Sequence, residues 1–189
     1  PLEALSELIS KLVSGGKVLI EVPHAKDLLL SSATNFYGPD VTQKDAEDFY
    51  AAKIDKNDAT PISYGLNSQL VKTENGLEER VWKSGGMYGE AIDQVTMWLT
   101  KAVAVAENPA QGDALKLLIE YYNTGDLKTW DAYNVAWVTA TEGDIDYINS
   151  FIEVYNDPLG YRGSYETVIQ MNDFEASERM AVVANNAQW

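Results

Sequence analysis

The sequence predicts an α+β fold that is rich in helices and has a small, mainly antiparallel sheet. Three observations support this fold class. Apolar residues recur at a helical period in several segments, two strand-like segments flank an Asn-Gly dipeptide, and another pair of strand-like segments lies near the C-terminal end. Helices outnumber strands in the predicted order, which is typical of an α+β architecture.

The first third of the chain is predicted to contain two helices and a short strand. Residues 2–13 carry apolar side chains at a helical period, and Gly15-Gly16 ends this helix. A short strand is predicted at 17–22. Thr42 is a typical N-cap residue, so we expect the second helix to run from there to about Ile54.

A β-hairpin is predicted at residues 68–83. Its strands, 69–73 and 78–82, flank Asn75-Gly76, the dipeptide that two-residue type I′ turns prefer. A type I′ turn needs positive φ at both central residues. We therefore expect a tight hairpin centred on Asn75 and Gly76.

Three helices are predicted after the hairpin. An apolar period covers 88–106, and Asn108-Pro109 is a typical start for the next helix, which ends near Gly125. The third helix is expected at 127–139. Aromatic residues at near-helical spacing are expected in the core: Tyr121, Tyr122, Trp130, Tyr133 and Trp137.

Two strands, at 147–156 and 164–171, and a final helix at 173–184 complete the predicted order. We expect all strands from residue 68 onward to lie in one small sheet. Strand side chains alternate between faces, so the first strand has a core face with Ile148, Ile152 and Val154.

The opposite face of the same strand carries Glu153 and Tyr155, a carboxylate and a phenol two residues apart. A carboxylate and a phenol presented side by side are a candidate binding site. A solvated strand face is the alternative. Asn149 and Phe151 share the face and are interpreted as packing or rim residues.

Composition restricts the function classes. The formal net charge of −15 argues against a nucleic-acid partner, since phosphate neutralisation needs clustered Lys and Arg. The absence of cysteine excludes disulfides and thiolate metal sites and leaves the redox compartment open. No apolar run approaches the roughly 20 residues of a membrane span, so no membrane partner is expected.

Several segments resemble the dipeptidyl-peptidase III family of zinc exopeptidases. The family's substrate-binding pattern is Phe-Ile/Thr-Glu-Ser-Tyr-x-Asp-Pro-Phe/Leu-Gly, and residues 151–160 read Phe-Ile-Glu-Val-Tyr-Asn-Asp-Pro-Leu-Gly. The resemblance extends over nearly the whole chain from about residue 28. It is also carried by Asn35-Phe36-Tyr37-Gly38, Gly65-Leu66-Asn67-Ser68-Gln69-Leu70-Val71-Lys72, Tyr121-Tyr122, Thr124-Gly125-Asp126-Leu127 and Asn185-Asn186-Ala187-Gln188-Trp189.

This resemblance implies a function. The family is a two-lobed peptidase that removes dipeptides from peptide N-termini, with its cleft between a mixed α/β lobe and a helical zinc lobe. The chain is expected to be part of the α/β, non-zinc lobe. Glu153 and Tyr155 match the positions that hold the substrate's N-terminus and backbone. The implied partners are an oligopeptide substrate and the protein's own C-terminal zinc lobe.

The family's zinc motif, His-Glu-x-x-Gly-His, cannot occur in this chain, whose only histidine is His24. We therefore predict no metal ligands and no catalytic residues here, zinc only in the full-length parent, and no activity for this piece alone. Its helical pattern at both ends indicates a part of a larger protein. Residues 1–66 are expected to form an N-terminal helical and irregular part, and 67–189 the rest of the same lobe.

Two other function classes remain open. One is a non-catalytic α+β domain that binds a peptide or protein. The other is a hydrolase with paired carboxylates, such as Asp144 with Asp146 or Glu78 with Glu79, although acidic chains contain such pairs by chance. Arg162 is expected to form a structural ion pair with a nearby acid.

Overall fold

A computed structural model describes residues 27–188 of the chain. The helix predicted at 2–13, the strand predicted at 17–22 and His24 lie outside these residues. The described part contains five helices: α1 (Gln43–Ala51), α2 (Gly89–Val103), α3 (Pro109–Thr124), α4 (Leu127–Thr139) and α5 (Phe174–Asn185). It contains four strands: β1 (Ser68–Thr73), β2 (Gly76–Val81), β3 (Ile145–Glu153) and β4 (Ser164–Met171). The α+β class is confirmed.

Helix boundaries follow the predicted caps. The Thr42 hydroxyl accepts from the N–H of Asp45, and the Asp45 carboxylate accepts from the N–H of Thr42, which forms a capping box at the start of α1. Asn108 caps α3, and Gly125 ends it with a φ of 71°. This left-handed conformation favours glycine, so the sequence signal and the helix end coincide.

The first hairpin is confirmed, but its predicted type I′ turn is wrong. Thr73 pairs with Gly76, so Glu74 and Asn75 are the two residues between the strands. Gly76 has a φ of 111°, whereas Asn75 is not among the residues with positive φ. This geometry fits a turn followed by a glycine bulge, in which only the glycine needs positive φ.

The strands form two antiparallel hairpins rather than the single sheet we expected. β1 pairs with β2, and β3 pairs with β4. The hairpins meet where the N–H of Gly163 donates to the C=O of Leu66 at 2.8 Å. Trp82 and Phe151 pack ring against ring, with centroids 4.7 Å apart. Side-chain packing, and not a continuous ladder, therefore joins the two hairpins in the described part.

The core has two regions. One lies around α3 and α4 and includes the aromatic residues predicted there, with Trp137 only partly buried at its margin. The second lies between α1 and β1 and contains Leu29, Tyr37, Val41, Ala46, Tyr50 and Leu70. The β3–β4 hairpin contacts the first region through Phe151.

The predicted faces of β3 are wrong. Phe151 is 7% exposed and belongs to the core, whereas Ile148, expected in the core, is 37% exposed. The register shifts between Phe151 and Glu153, which leaves Ile152 unpaired and breaks the strict alternation. Trp82, which follows β2, and Tyr122 of α3 cover the side that carries Phe151 and Asn149, and the Asn149 amide oxygen accepts from the Tyr122 hydroxyl at 2.7 Å.

Candidate functional site

The two predicted binding residues lie at the end of β3. Glu153 is the last residue of the strand, is partly buried and pairs with Ser164. The strand was predicted to reach residue 156, but Tyr155 lies in the turn that follows and is 76% exposed. The two residues thus lie on either side of the junction between strand and turn, with Val154 between them.

Asp157 organises this turn. Its N–H donates to the C=O of Val154 at 3.0 Å, which closes the turn around Tyr155 and Asn156. Its carboxylate accepts from three backbone N–H groups, those of Leu159, Tyr161 and Arg162. Asp157 is 5% exposed, and buried carboxylates need such donors because their desolvation is costly. The strand thus ends in a turn that contains Asp157-Pro158.

A buried polar network lies beneath this turn. We use this name for six residues that are joined by hydrogen bonds: Tyr37, Tyr50, Ser68, Glu79, Asp157 and Arg162. They come from the segment before α1, from α1, from both strands of the first hairpin and from the β3–β4 connection.

Arg162 is at the centre of the network and is fully buried. Its Nε donates to the C=O of Ser68 at 3.2 Å, its Nη1 donates to the Tyr37 hydroxyl at 3.2 Å, and its Nη2 donates to the Tyr50 hydroxyl. The direct ion pair we expected is wrong. Instead, each tyrosine hydroxyl donates a hydrogen bond to a carboxylate, Tyr37 to Asp157 and Tyr50 to Glu79.

The electrostatics of the network agree with these donor assignments. Burial raises the pKa of the Tyr37 phenol far above its ordinary value, although the nearby Arg162 guanidinium acts in the opposite direction. Burial likewise raises the pKa of the Tyr50 phenol, and the Arg162 guanidinium again acts in the opposite direction. Both phenols therefore keep their protons at neutral pH and can donate to a carboxylate while accepting from the guanidinium.

Glu79 ends the second branch of the network. Burial would raise the pKa of its carboxyl, but hydrogen bonds from Lys53, Tyr50 and Ser68 more than offset burial and leave the pKa below its ordinary value. The Lys53 ammonium also forms an ion pair with this carboxylate. Glu79 is thus a structural carboxylate. The Glu78 carboxylate accepts from the Thr73 hydroxyl at 2.9 Å, so the two glutamates do not act together as the paired carboxylates of a hydrolase.

An aromatic pocket of about 460 Å³ opens beside the site. Ser164, the cross-strand partner of Glu153, contributes to its wall. Tyr88, also in the wall, has a φ of 62°, a strained conformation for a residue that is not glycine. The other main wall residues are Phe36, Trp82, Tyr122, Phe151 and Tyr165. Such a wall suits an apolar side chain.

Within residues 27–188, no three His, Cys, Asp or Glu side chains are grouped closely enough to hold a metal ion. A zinc peptidase centre takes three protein ligands and a bound water. The described residues do not fit such a centre. None of the helices in this part of the chain is both long and apolar enough to cross a membrane.

The sequence patterns pointed to Glu153 and Tyr155 but not to the network beneath them. Tyr37, Tyr50 and Glu79 are ordinary residues in their own segments, and 120 positions separate Tyr37 from Asp157. The one available signal was Arg162 in a mostly acidic segment, since a lone cation between acids and aromatic residues can mark a buried network.

Comparison with known proteins places these features in a family. The model of peptidase family M49 matches residues 41–189. The chain is 32% identical to human dipeptidyl peptidase 3 over 81 residues, which is 43% of this chain and 11% of the human protein. It is 26% identical to rat dipeptidyl peptidase 3 over 103 residues, 54% of this chain and 14% of that protein.

Two solved structures have the same fold in this region. The structure of DPP III from Caldithrix abyssi superimposes with a TM-score of 0.59 at 23% identity, covering 80% of this chain and 28% of that one. Dipeptidyl-peptidase III from Corallococcus sp. strain EGB superimposes with a TM-score of 0.56 at 20% identity, covering 82% and 28%. The chain thus spans a minor part of the length of these proteins.

Proposed function

The chain belongs to peptidase family M49, and on this basis we propose that it forms the substrate-binding lobe of a zinc-dependent dipeptidyl peptidase. In this proposal the whole protein removes dipeptides from peptide N-termini. The observation that carries the proposal is the junction at Glu153, where β3 ends in a carboxylate and continues into the exposed phenol of Tyr155.

Glu153 binds the free α-ammonium group of the peptide in this proposal. A hydrogen bond to a charged partner contributes about 1.5–3 kcal/mol, enough to select a free N-terminus over a blocked one. Tyr155 is two residues further on, and its exposed hydroxyl can bond the peptide backbone. Fixing the N-terminus in this way sets how many residues extend to the cleavage point.

The edge of β3 that faces away from β4 supports a strand-addition mode of binding. The N–H of Tyr147 bonds the Asp146 carboxylate and its C=O accepts from the Trp137 indole, so both groups point away from β4. In an antiparallel ladder the backbone N–H and C=O groups of successive residues point to alternate edges. Asn149 lies two residues after Tyr147, so its N–H and C=O point to the same edge. No other strand within 27–188 pairs with this edge, so an extended peptide can bond to the backbone groups of Asn149, whereas those of Tyr147 are already bonded to Asp146 and Trp137.

The second proposed partner is the remainder of the same polypeptide, which would form the zinc lobe. None of the α5 side chains is buried within the described structure, and its Met180, Val182 and Val183 are exposed. Ile169 and Met171 of β4 are exposed as well. The exposed apolar side chains on these two elements make them the proposed contact for the rest of the polypeptide. In this proposal the zinc ligands also come from that remainder.

The test is a product analysis of the full-length protein. Purified protein is incubated with unblocked peptides and with the same peptides N-acetylated, and the products are identified by mass spectrometry. We expect dipeptides from the unblocked peptides only, and loss of activity with a zinc chelator. Peptide binding without cleavage would favour the non-catalytic binding domain instead.

A further inference from the structure

The turn that carries Tyr155 is held from the inside by Tyr37. The Tyr37 hydroxyl donates to Oδ2 of Asp157 at 2.8 Å. Asp157 in turn closes the turn through its N–H bond to the C=O of Val154. Tyr37 is 7% exposed, so its side chain lies beneath the turn and not on the surface that a peptide would contact.

We propose that Tyr37 is a positioning residue for peptide binding, which acts through Asp157 on the turn that presents Tyr155. This inference rests on the proposed function of Glu153 and Tyr155. It deepens that function, because it assigns the orientation of an exposed binding residue to a buried one that a peptide does not touch.

Asp157 transmits the effect because most of its hydrogen bonds fix the turn itself. Oδ2 accepts from the N–H groups of Tyr161 and Arg162 at 2.9 and 2.8 Å, and Oδ1 accepts from the N–H of Leu159 at 3.1 Å. The Tyr37 hydroxyl is the one side-chain hydroxyl among the described donors to this carboxylate. Removing it loosens the carboxylate and with it the backbone around Tyr155.

Tyr37 can act as an anchor because it is itself fixed. It forms a bridge with Leu70, and the N–H of the following residue, Gly38, donates to the C=O of Leu70 at 2.7 Å. The Arg162 guanidinium lies over its ring, 4.4 Å from the centroid. The phenol is thus held between β1 and the buried cation, and its hydroxyl has a defined direction.

Tyr50 provides a matched comparison inside the same network. Its hydroxyl also accepts from the Arg162 guanidinium, and the guanidinium also lies over its ring, 4.8 Å from the centroid. It donates its own hydrogen bond to Glu79 instead of Asp157. Tyr→Phe at either position removes one hydroxyl from the network, but only the change at Tyr37 removes a bond to the turn.

The experiment compares Y37F and Y50F in the full-length peptidase, with steady-state kinetics on an unblocked dipeptidyl arylamide. We expect Y37F to raise KM by about threefold to tenfold, with kcat within about twofold. Y50F should leave KM within about twofold of the parent, since its effect is confined to the fold. In a Y155F background, Y37F should raise KM no further, because the group that it positions is gone.

Equal KM changes in Y37F and Y50F would overturn the inference, and so would a Y37F effect that persists in the Y155F background. The proposed function fails separately, if E153Q and Y155F both leave KM unchanged. Melting curves confirm that each variant is folded at the assay temperature. If Y37F melts below the assay temperature, the same comparison with Y155F is made with N156A instead. N156A removes the hydrogen bond from Asn156 to the Ser164 hydroxyl and so loosens the same turn from its solvent side. An unchanged KM in N156A would then overturn the inference.

Discussion

The hydroxyl of Tyr50 accepts a hydrogen bond from Nη2 of Arg162, a residue 112 positions later in the chain, and donates one to Glu79 at 2.7 Å. Tyr37 does the same between Arg162 and Asp157. A fully buried guanidinium is thus neutralised through two phenols, each with a carboxylate behind it. Since an uncompensated buried charge is strongly destabilising, we expect the fold to depend on all of these partners.

Replacing Arg162 tests this dependence. R162M keeps much of the side-chain volume but leaves two tyrosine hydroxyls and the C=O of Ser68 without their donor. We expect the free energy of unfolding to fall by about 3–5 kcal/mol, measured by urea denaturation. The matched control is R179M, since Arg179 is exposed and reaches Glu175 only at 3.6 Å. A similar loss in both variants would show that the network contributes little.

Glu153 should act through the substrate's free N-terminus. In the full-length protein, E153Q is expected to lower kcat/KM by about tenfold to a hundredfold, equivalent to roughly 1.4–2.8 kcal/mol. N-acetylation of the substrate should reproduce much of that loss with the parent enzyme and add little with E153Q, because both changes remove the same contact. If the two losses simply add, Glu153 does not hold the N-terminus.

The isolated chain should be inactive. We expect it to bind no stoichiometric zinc and to release no product from a dipeptidyl arylamide, because a zinc peptidase centre needs three protein ligands and a bound water that the described residues do not provide. Elemental analysis and a colorimetric assay check both points, with the full-length protein as the positive control. One tightly bound zinc per chain would contradict this prediction.

The hairpin turn gives a prediction about backbone conformation. G76V should lower the free energy of unfolding by about 1–2 kcal/mol, since a β-branched side chain resists the φ of 111° found there. N75V is the control, because Asn75 lies at the tip of the same turn with ordinary φ. Denaturant midpoints that fall equally in both variants would point back to a type I′ turn.

Stability should depend on pH through Asp45. Hydrogen bonds from Lys72 and from Thr42 lower the pKa of its carboxyl to about 2 in the folded chain. The unfolded value is near 3.9, so the folded state gains stability above that pH and loses it as the pH falls through about 2. Urea midpoints measured from pH 6 to pH 2 should therefore fall less steeply in D45N than in the parent.

The control for Asp45 is D58N, because Asp58 bonds only Thr60 in an exposed loop. This variant removes one carboxylate but keeps the capping box and the Lys72–Asp45 ion pair, so it corrects for the change in net charge. A pH profile of D45N that is parallel to the parent's would show that Asp45 titrates alike in the folded and unfolded chains.

Local signals predicted local structure well. The helix at 127–139 and the strand at 164–171 were predicted with the bounds observed for α4 and β4, and Thr42 and Gly125 lie at helix ends as expected. Each of these depends on residues close together in the chain. The helix caps and the apolar period are therefore sufficient to define them.

Features that depend on distant contacts were missed. The faces of β3 were reversed because a bulge at Ile152 interrupts the alternation and because Trp82 packs on Phe151 from another hairpin. The partners of Arg162 were missed because no pattern in the sequence brings Tyr37 and Tyr50 to it. Glu153 and Tyr155 could be predicted as a binding pair because both lie in one short segment, and their role stays a prediction.

The buried polar network also affects how the chain folds as it is synthesised. Tyr50 leaves the ribosome 112 residues before Arg162, which takes roughly 6–22 s at typical rates of elongation. During that interval Glu79 and Tyr50 can already bond to each other, but the site for the guanidinium is empty and its carboxylates lack their buried cation. We expect the second core region to close late and to be the step at which nascent chains are most exposed to aggregation, because contacts of such long sequence separation form slowly.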